Sequence, residues 1–495
     1  MMAARMSQGW TLDQLLDGVC AAPPVTISDV TLDSRAVTPG ALFLALQGMS
    51  AHGIAFAPQA LQRGAVAVVT DLPSDDERLR GIAARVPVVS CVNNDNLASL
   101  LAKRFFAHPS AALDTFAVTG TNGKTSIAWL VANALMRVGR QTALSGTLGF
   151  GLPDALASQT LTTPDAVTLH RQAREFCEQG CQAMVFEASS HAMDQGRLAD
   201  ICVDIALFSN LTRDHLDYHA DMDAYFEAKA SLFEGDRHAR IVCCDDRYGR
   251  ALWQRHADSA WQVCTRQQSI DAECFVSVTA AHATADGLDI ECATHLGQAR
   301  IRSALVGAFN VQNLALAFAA ILCAGIPLAQ AADVLSQVSA PPGRMQRVPG
   351  EGPKVYVDFA HTPAALAEAI ATLGAHAHGA LWCVFGCGGD RDRGKRALMA
   401  KAASAAARIV VTSDNPRHES SAAIIEDIVA GFDRDFAVEA DREQAIVNTI
   451  LNAGANDTIL IAGKGHEKFQ LIGDDAIAFD DVAIAARALQ MRGRD

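Results

Sequence analysis

Phe116-Ala-Val-Thr-Gly-Thr-Asn-Gly-Lys-Thr-Ser126 is a hydrophobic run that breaks into two glycines, a lysine and a threonine, then leads into the apolar stretch Ile127 to Val138. Glycines let backbone N–H groups turn toward phosphate oxygens, the next helix adds its positive dipole end, and a lysine meets terminal phosphates. Strand, glycine turn and helix in this order predict a nucleotide site formed by Gly120, Thr121, Asn122, Gly123, Lys124, Thr125 and Ser126. Thr125 or Ser126 can then hold Mg2+. Val118 stands where the longer phosphate-loop spacing has a glycine, so the shorter Gly-x-x-Gly-Lys-Thr form carries the reading.

Outward from this loop the strand and helix pattern repeats through Ala183-Met-Val-Phe186, Ile205-Ala-Leu-Phe208 and Ile241-Val242, as in a parallel sheet with crossover helices. Upstream, Ala41 to Leu46, Val66 to Val69 and Val86 to Val89 alternate with helical stretches and predict a smaller α/β unit ending near His108-Pro109-Ser110. Downstream, the polar stretch Gln267 to Arg302 reads as an antiparallel excursion, and Leu314 to Pro327 as a buried helix too short to span a membrane. Pro341-Pro342-Gly343 marks a linker, and a third α/β unit carries strands at Val355, Leu381, Ile409 and Thr458. The fold class expected is α/β in three domains: 1–110, a central parallel-sheet P-loop domain 111–342, and a Rossmann-like domain 343–495.

The 495 residues suit about three domains, and 50 % hydrophobic against 19 % charged residues exclude intrinsic disorder. A net charge of −14 argues against nucleic acid or an anionic membrane as partner. Thirteen cysteines without metal-site spacing read as reduced thiols, and the N-terminus carries no secretory signal, so a cytoplasmic protein is expected.

The string Thr119 to Ser126 resembles the ATP loop of the Mur ligases, ATP-dependent amino-acid ligases of peptidoglycan precursor synthesis. Matching strings follow in family order: Glu187-Ala-Ser-Ser-His191, Asn210-Leu-Thr-Arg-Asp-His-Leu-Asp217, Tyr225-Phe-Glu-Ala-Lys229, Gly307-Ala-Phe-Asn-Val-Gln-Asn313, Gly343-Arg-Met345 and Asp358-Phe-Ala-His-Thr-Pro363. In the last third, Gly388-Gly-Asp-Arg-Asp-Arg-Gly-Lys-Arg396, Asp414-Asn-Pro-Arg417 and Gly463-Lys-Gly-His-Glu467 are similar to the branch that adds the third peptide residue. The Asp-Asn-Pro-Arg string resembles the version using meso-2,6-diaminopimelate, whose extra carboxylate suits a guanidinium.

The resemblance implies an ATP-dependent ligase working through an acyl phosphate. Its catalytic residues would be Lys124, His215 and Lys229; Lys229 matches the family's carbamylated lysine, whereas by itself a lysine on such a helix reads as solvated. Metal ligands would be Thr125, Glu187, His215 and Lys229 for Mg2+, with Asp214, Asp217 and His219 competing beside His215. ATP would also touch Asn313, Arg344 and Asp358, with Lys395 reaching phosphates, which requires the third domain to close during turnover.

For the UDP-muramoyl dipeptide, Leu32, Ser34, Met49, Ser50 and Ala51 match nucleotide-sugar contacts of the N-terminal domain, and Thr162, Thr163, Ser189, Gln195 and Arg197 match peptide contacts. Leu161 replaces an asparagine found in relatives. Arg391, Asp414, Asn415, Pro416, Arg417, Gly463 and Glu467 match the diaminopimelate positions, Glu467 suiting an ammonium. Partners are thus small molecules, with no nucleic acid and no membrane insertion, and a monomer is expected. The alternatives are the L-lysine-adding version and a folylpolyglutamate synthase-like ligase; a regulatory P-loop NTPase would not need Arg391, Arg417 and Glu467.

Overall fold

The computed structural model describes residues 9–493 apart from 50, 93, 217 and 285. Ser50, Asp217 and the first eight residues of the N-terminal reading therefore lie outside the described residues. The backbone divides into two compact units, 1–261 and 262–495, the division falling inside the strand Ala260–Cys264.

The first unit opens with a parallel sheet of Asp29–Thr31, Ala41–Ala45, Ala67–Thr70 and Val88–Ser90. Side chains alternate across a strand, and both faces are covered. Leu42 and Leu44 join Val30 and Val69 in one core, while Ala41, Phe43 and Ala45 join Val68 in another. Phe43 is fully buried, so its truncation to alanine would cost about 3–5 kcal/mol.

The second sheet of this unit runs Ala155–Ala157, Gly149–Leu152, Thr142–Gly146, Ala183–Glu187, Asp114–Thr119, Ile205–Phe208 and Ala239–Cys243. The five strands from Thr142–Gly146 onward in this order are parallel, and a two-hairpin antiparallel edge follows Gly146. The strand Asp114–Thr119 lies between Ala183–Glu187 and Ile205–Phe208, in register Glu187↔Val118 and Phe208↔Thr119. That order sets the loops after residues 119, 187 and 208 side by side at the carboxyl edge, where open α/β sheets bind ligands.

Gln262–Cys264 begins the second unit and pairs with the excursion, which forms three antiparallel strands, Phe275–Thr284, Gly287–Thr294 and Gly297–Ser303. The apolar stretch expected near Leu314 is the helix Phe309–Cys323, buried almost all round. A second parallel sheet follows in the order Lys354–Asp358, Thr458–Ala462, Leu381–Phe385, Arg408–Val411. Here Leu381, Cys383 and Phe385 pack on one face and Val384, Ile459 and Ile461 on the other.

The expectation of wholly reduced thiols is corrected at one pair. Cys20 and Cys91 are joined, their Cα atoms 6.3 Å apart across a sequence separation of 71, a juxtaposition that only the N-terminal fold creates. Cys292, Cys383 and Cys387 are buried thiols, each pushed up to about 12 by burial. No helix among the described residues is long and apolar enough to cross a membrane.

Candidate active site

The phosphate loop is held by its neighbour strand's loop. Thr121 N–H donates to Asn210 O at 2.8 Å, Asn122 N–H to Asn210 Oδ1 at 3.0 Å, and Ser209 Oγ to Asn122 O at 2.5 Å. Gly120, at φ +140°, has no room for a side chain, since a Cβ would fall on the Ser209 hydroxyl. Gly123, at φ +88°, turns the chain into the helix Lys124–Arg137. Lys124 Nζ donates to the loop's own carbonyls, Gly120 O at 2.9 Å and Thr121 O at 3.0 Å.

Glu187 ends its strand 2 % exposed and accepts hydrogen bonds from Thr125 Oγ1 at 3.0 Å and Thr147 N–H at 2.7 Å. Thr125 and Glu187 thus present oxygen donors where the loop meets its helix, the donor type Mg2+ prefers. His215 sits in the left-handed region at φ +52°, its ring edge-on to His191 at 5.0 Å and to Tyr225 at 5.9 Å. Among the described residues no three His, Cys, Asp or Glu side chains converge as a ready-made metal cluster.

Lys229 is not the solvated lysine its helix suggested. It is 1 % exposed, donates to Gly120 O at 3.0 Å, and lies 4.7 Å from the Tyr225 ring centre. Burial, with the Lys124 charge adding to it, holds its amine well below the ordinary lysine range.

The peptide-contact residues form one network beside Glu187. Thr163 Oγ1 donates to Glu187 O at 2.7 Å and accepts from Ser189 N–H, Thr162 Oγ1 lies 3.2 Å from Thr147 Oγ1, and Arg197 donates to Thr163 O at 2.9 Å. Gln195 joins Arg197 to Tyr218, whose hydroxyl donates to Asp194 at 2.6 Å. Ser189 also caps the helix Ser190–Asp194. In the N-terminal sheet, Ser34 Oγ donates to Gln59 at 2.7 Å, Leu32 is half-buried, and Met49 and Ala51 are exposed. Gln195 Nε2 lies 3.1 Å from Met49 Sδ, so the loop after Gln47 meets the Gln195 network. Leu161 is exposed.

In the second unit, four strand ends gather the sequence-distant motifs. Asp358 accepts from Met345 N–H at 2.7 Å and Ala360 N–H at 2.8 Å, and burial raises its carboxyl despite both bonds and the nearby Arg344 charge. Arg344 stacks over Phe359 at 5.0 Å, and Lys395 donates to His361 O at 3.2 Å. Asn313 is 3 % exposed and turned to Asn310, donating to its Oδ1 at 2.9 Å.

Asn415 Nδ2 donates to Glu467 at 2.8 Å, and a Cβ on Gly463 would strike the Asp414 carboxylate. Arg417, at φ +52°, donates to Gly389 O at 2.8 Å, tying the Asp-Asn-Pro-Arg turn to the glycine-rich loop that carries exposed Arg391. Pro416 O closes on Gly389, where a Cβ would not fit. The sequence reading passed over Lys464. It is wholly buried between Gly463 and Glu467, and its ammonium bonds Asn415 Oδ1 at 3.0 Å and Glu467 at 3.2 Å. Tyr218 and Thr147 were also missed, and nothing in local spacing marks either.

A glycine-built phosphate-loop turn thus stands at one sheet edge, and a cluster of carboxylate, amide and guanidinium groups at another, the arrangement of an α/β enzyme. Family models match over 26–106 (Mur ligase family, catalytic domain), 118–321 (Mur ligase middle domain) and 343–465 (Mur ligase, glutamate ligase domain). A relative named UDP-N-acetylmuramoyl-L-alanyl-D-glutamate--2,6-diaminopimelate ligase, from Xanthomonas campestris pv. campestris, is 42 % identical over 98 % of this chain and 99 % of its own. One of the same name from Pseudomonas aeruginosa is 43 % identical over 94 % and 95 %. A solved structure with that name superposes with a TM-score of 0.71 at 32 % identity, covering 98 % of this chain and 99 % of its own. The chain belongs to the Mur ligase family, whose members are ATP-dependent ligases that form amide bonds.

Proposed function

We propose that the protein joins meso-2,6-diaminopimelate to UDP-N-acetylmuramoyl-L-alanyl-D-glutamate at the expense of ATP, a step of peptidoglycan precursor synthesis. The observation carrying the choice of amino acid is Arg417, whose guanidinium is anchored on Gly389 O in the turn where Asn415, two residues before it, binds Glu467. An anchored fork can take a second carboxylate in two parallel bonds, and the Glu467 carboxylate suits the ammonium next to it.

In this reading the D-glutamate carboxylate attacks the γ-phosphate, ADP leaves, the incoming amine attacks the acyl phosphate, and phosphate is expelled. Lys124, released from the loop carbonyls, faces the β- and γ-phosphates, and Thr163 and Arg197 orient the peptide. Thr125 and Glu187 would hold Mg2+, joined by His215 and by Lys229 as a carbamate; the ion would neutralise charge on the phosphates. Burial lowers the Lys229 amine well below the ordinary lysine range, which favours the uncharged form that takes up CO2. Asn313, Arg344 and Asp358 serve ATP, and Leu32, Ser34 and the loop from Met49 to Ala51 serve the UDP-sugar.

The domains are 1–110, 111–342 and 343–495, and the three family-model spans fall one in each. The enzyme acts on these small molecules in the cytoplasm, as a monomer. The test is a ligation assay offering diaminopimelate and L-lysine side by side. Phosphate release that depends on both the dipeptide and diaminopimelate is expected; release independent of them, or equal use of lysine, overturns the reading.

A further inference from the structure

Arg442 opens the helix Arg442–Asn452 and Asp481 opens the helix Asp481–Arg492, and both side chains are fully buried. The guanidinium donates to the two Asp481 oxygens at 2.9 and 2.7 Å. It also donates to Ala462 O at 3.0 Å and Ser413 O at 3.2 Å. Ala462 is the residue before Gly463, and Ser413 the residue before Asp414. One cation therefore grips the roots of both loops that build the amino-acid pocket.

These loops leave strands that are not neighbours, because Leu381–Phe385 lies between Thr458–Ala462 and Arg408–Val411. Two strand spacings, about 9.6 Å, separate them at the sheet. The Asp414 loop closes the gap over the end of the middle strand, where a Cβ on Gly386 would strike Thr412 O. Farther out the loops are tied by backbone bonds, Arg417 N–H to Leu471 O at 3.0 Å and Gly473 N–H to Arg417 O at 2.7 Å. Arg442 joins them at their roots, beneath the pocket, and after Asp481 the Asp414 and Glu467 carboxylates are the next negative charges acting on it. A buried ion pair is a poor stabiliser, since apolar groups of similar volume often do as well, so stability does not account for this pair.

We propose that Arg442, oriented by Asp481, is the positioning residue of the amino-acid pocket: it fixes the distance between the Asp414 and Gly463 loops so that Asn415, Arg417 and Glu467 face one ligand. This rests on the reading of the pocket given above. The test is steady-state kinetics on three variants, each checked for folding by thermal unfolding. The double variant Arg442→Met/Asp481→Leu removes both charges together, and Asp481→Asn keeps the shape but weakens the guanidinium's orientation. Arg442→Lys keeps the charge, cannot reach both carbonyls, and serves where the double variant does not fold.

The expected result is a diaminopimelate KM raised about tenfold or more, the scale of a misplaced binding group, with the KM for ATP held within about twofold. Arg442→Lys should fall between wild type and the double variant. A folded variant with lower thermal stability but wild-type diaminopimelate KM overturns the proposal, as does an equal rise in the KM for ATP. If the wild-type enzyme itself ligates no diaminopimelate, the functional reading fails instead, and the same variants are compared on the amino acid it does use.

Discussion

Lys124 and Lys229 place their ammonium nitrogens on a single carbonyl oxygen, that of Gly120, at 2.9 and 3.0 Å. Two cations cannot share one acceptor in a buried site without cost, and burial together with the Lys124 charge holds the Lys229 amine well below the ordinary lysine range. The expected outcome is a carbamate resonance on the wild-type enzyme after exposure to 13C-labelled bicarbonate, absent from Lys229→Ala. That variant should lose about a hundredfold or more in ligation rate, as when a charge-stabilising group is removed. An unlabelled wild type would rule out the carbamate, and a fully active variant would rule out the residue.

Gly146 faces Glu187 so closely that a Cβ would land on the carboxylate. Gly146→Ala should push Glu187 off Thr125 and Thr147. We expect the Mg2+ concentration for half-maximal ligation to rise and the rate to fall by about a hundredfold, the loss that a displacement of roughly 1 Å can cause. Metal-free ADP binding, measured by calorimetry, should be unchanged; an unaltered Mg2+ requirement contradicts the assignment.

Arg417→Ala removes the guanidinium anchored on Gly389 O. Diaminopimelate affinity should drop by about ten- to a hundredfold, the worth of a charge-assisted bond, while ATP binding persists. Arg417→Lys should not restore it, because a point charge lacks the planar fork. Undiminished affinity in isothermal titration would remove the basis for the choice of amino acid.

His170 lies fully buried in the helix Ala166–Glu178, 3.4 Å from Ser99 Oγ, and burial lowers its imidazole from 6.5 to about 4. Between these values the unfolded chain binds a proton that the native one refuses, so stability is unaffected above pH 6.5 and falls as pH drops toward 4. The loss reaches about 3 kcal/mol. Thermal unfolding of His170→Leu should show a shallower acid decline than wild type. Parallel curves would place the acid sensitivity elsewhere.

The phosphate loop, the order of α/β elements, and nearly every motif that meets at a strand end are legible in the amino-acid sequence alone. These are local signals: a glycine needed for φ +88° at position 123, or a four-residue Asp-Asn-Pro-Arg turn, is written in adjacent residues. The folylpolyglutamate alternative also gave way at this level, to that turn.

Only the tertiary structure decided what each side chain faces. Lys229 reads as solvated on its helix and is buried because strand order brings that helix beneath Gly120. Asn313 is turned to Asn310, Cys20 meets Cys91, and Lys464 and Arg442 are buried beneath the loops that follow Ser413 and Ala462. Burial and charge pairing depend on neighbours tens or hundreds of residues away, and no short stretch of sequence encodes them. The sheet order does, by setting the ends of non-consecutive strands side by side.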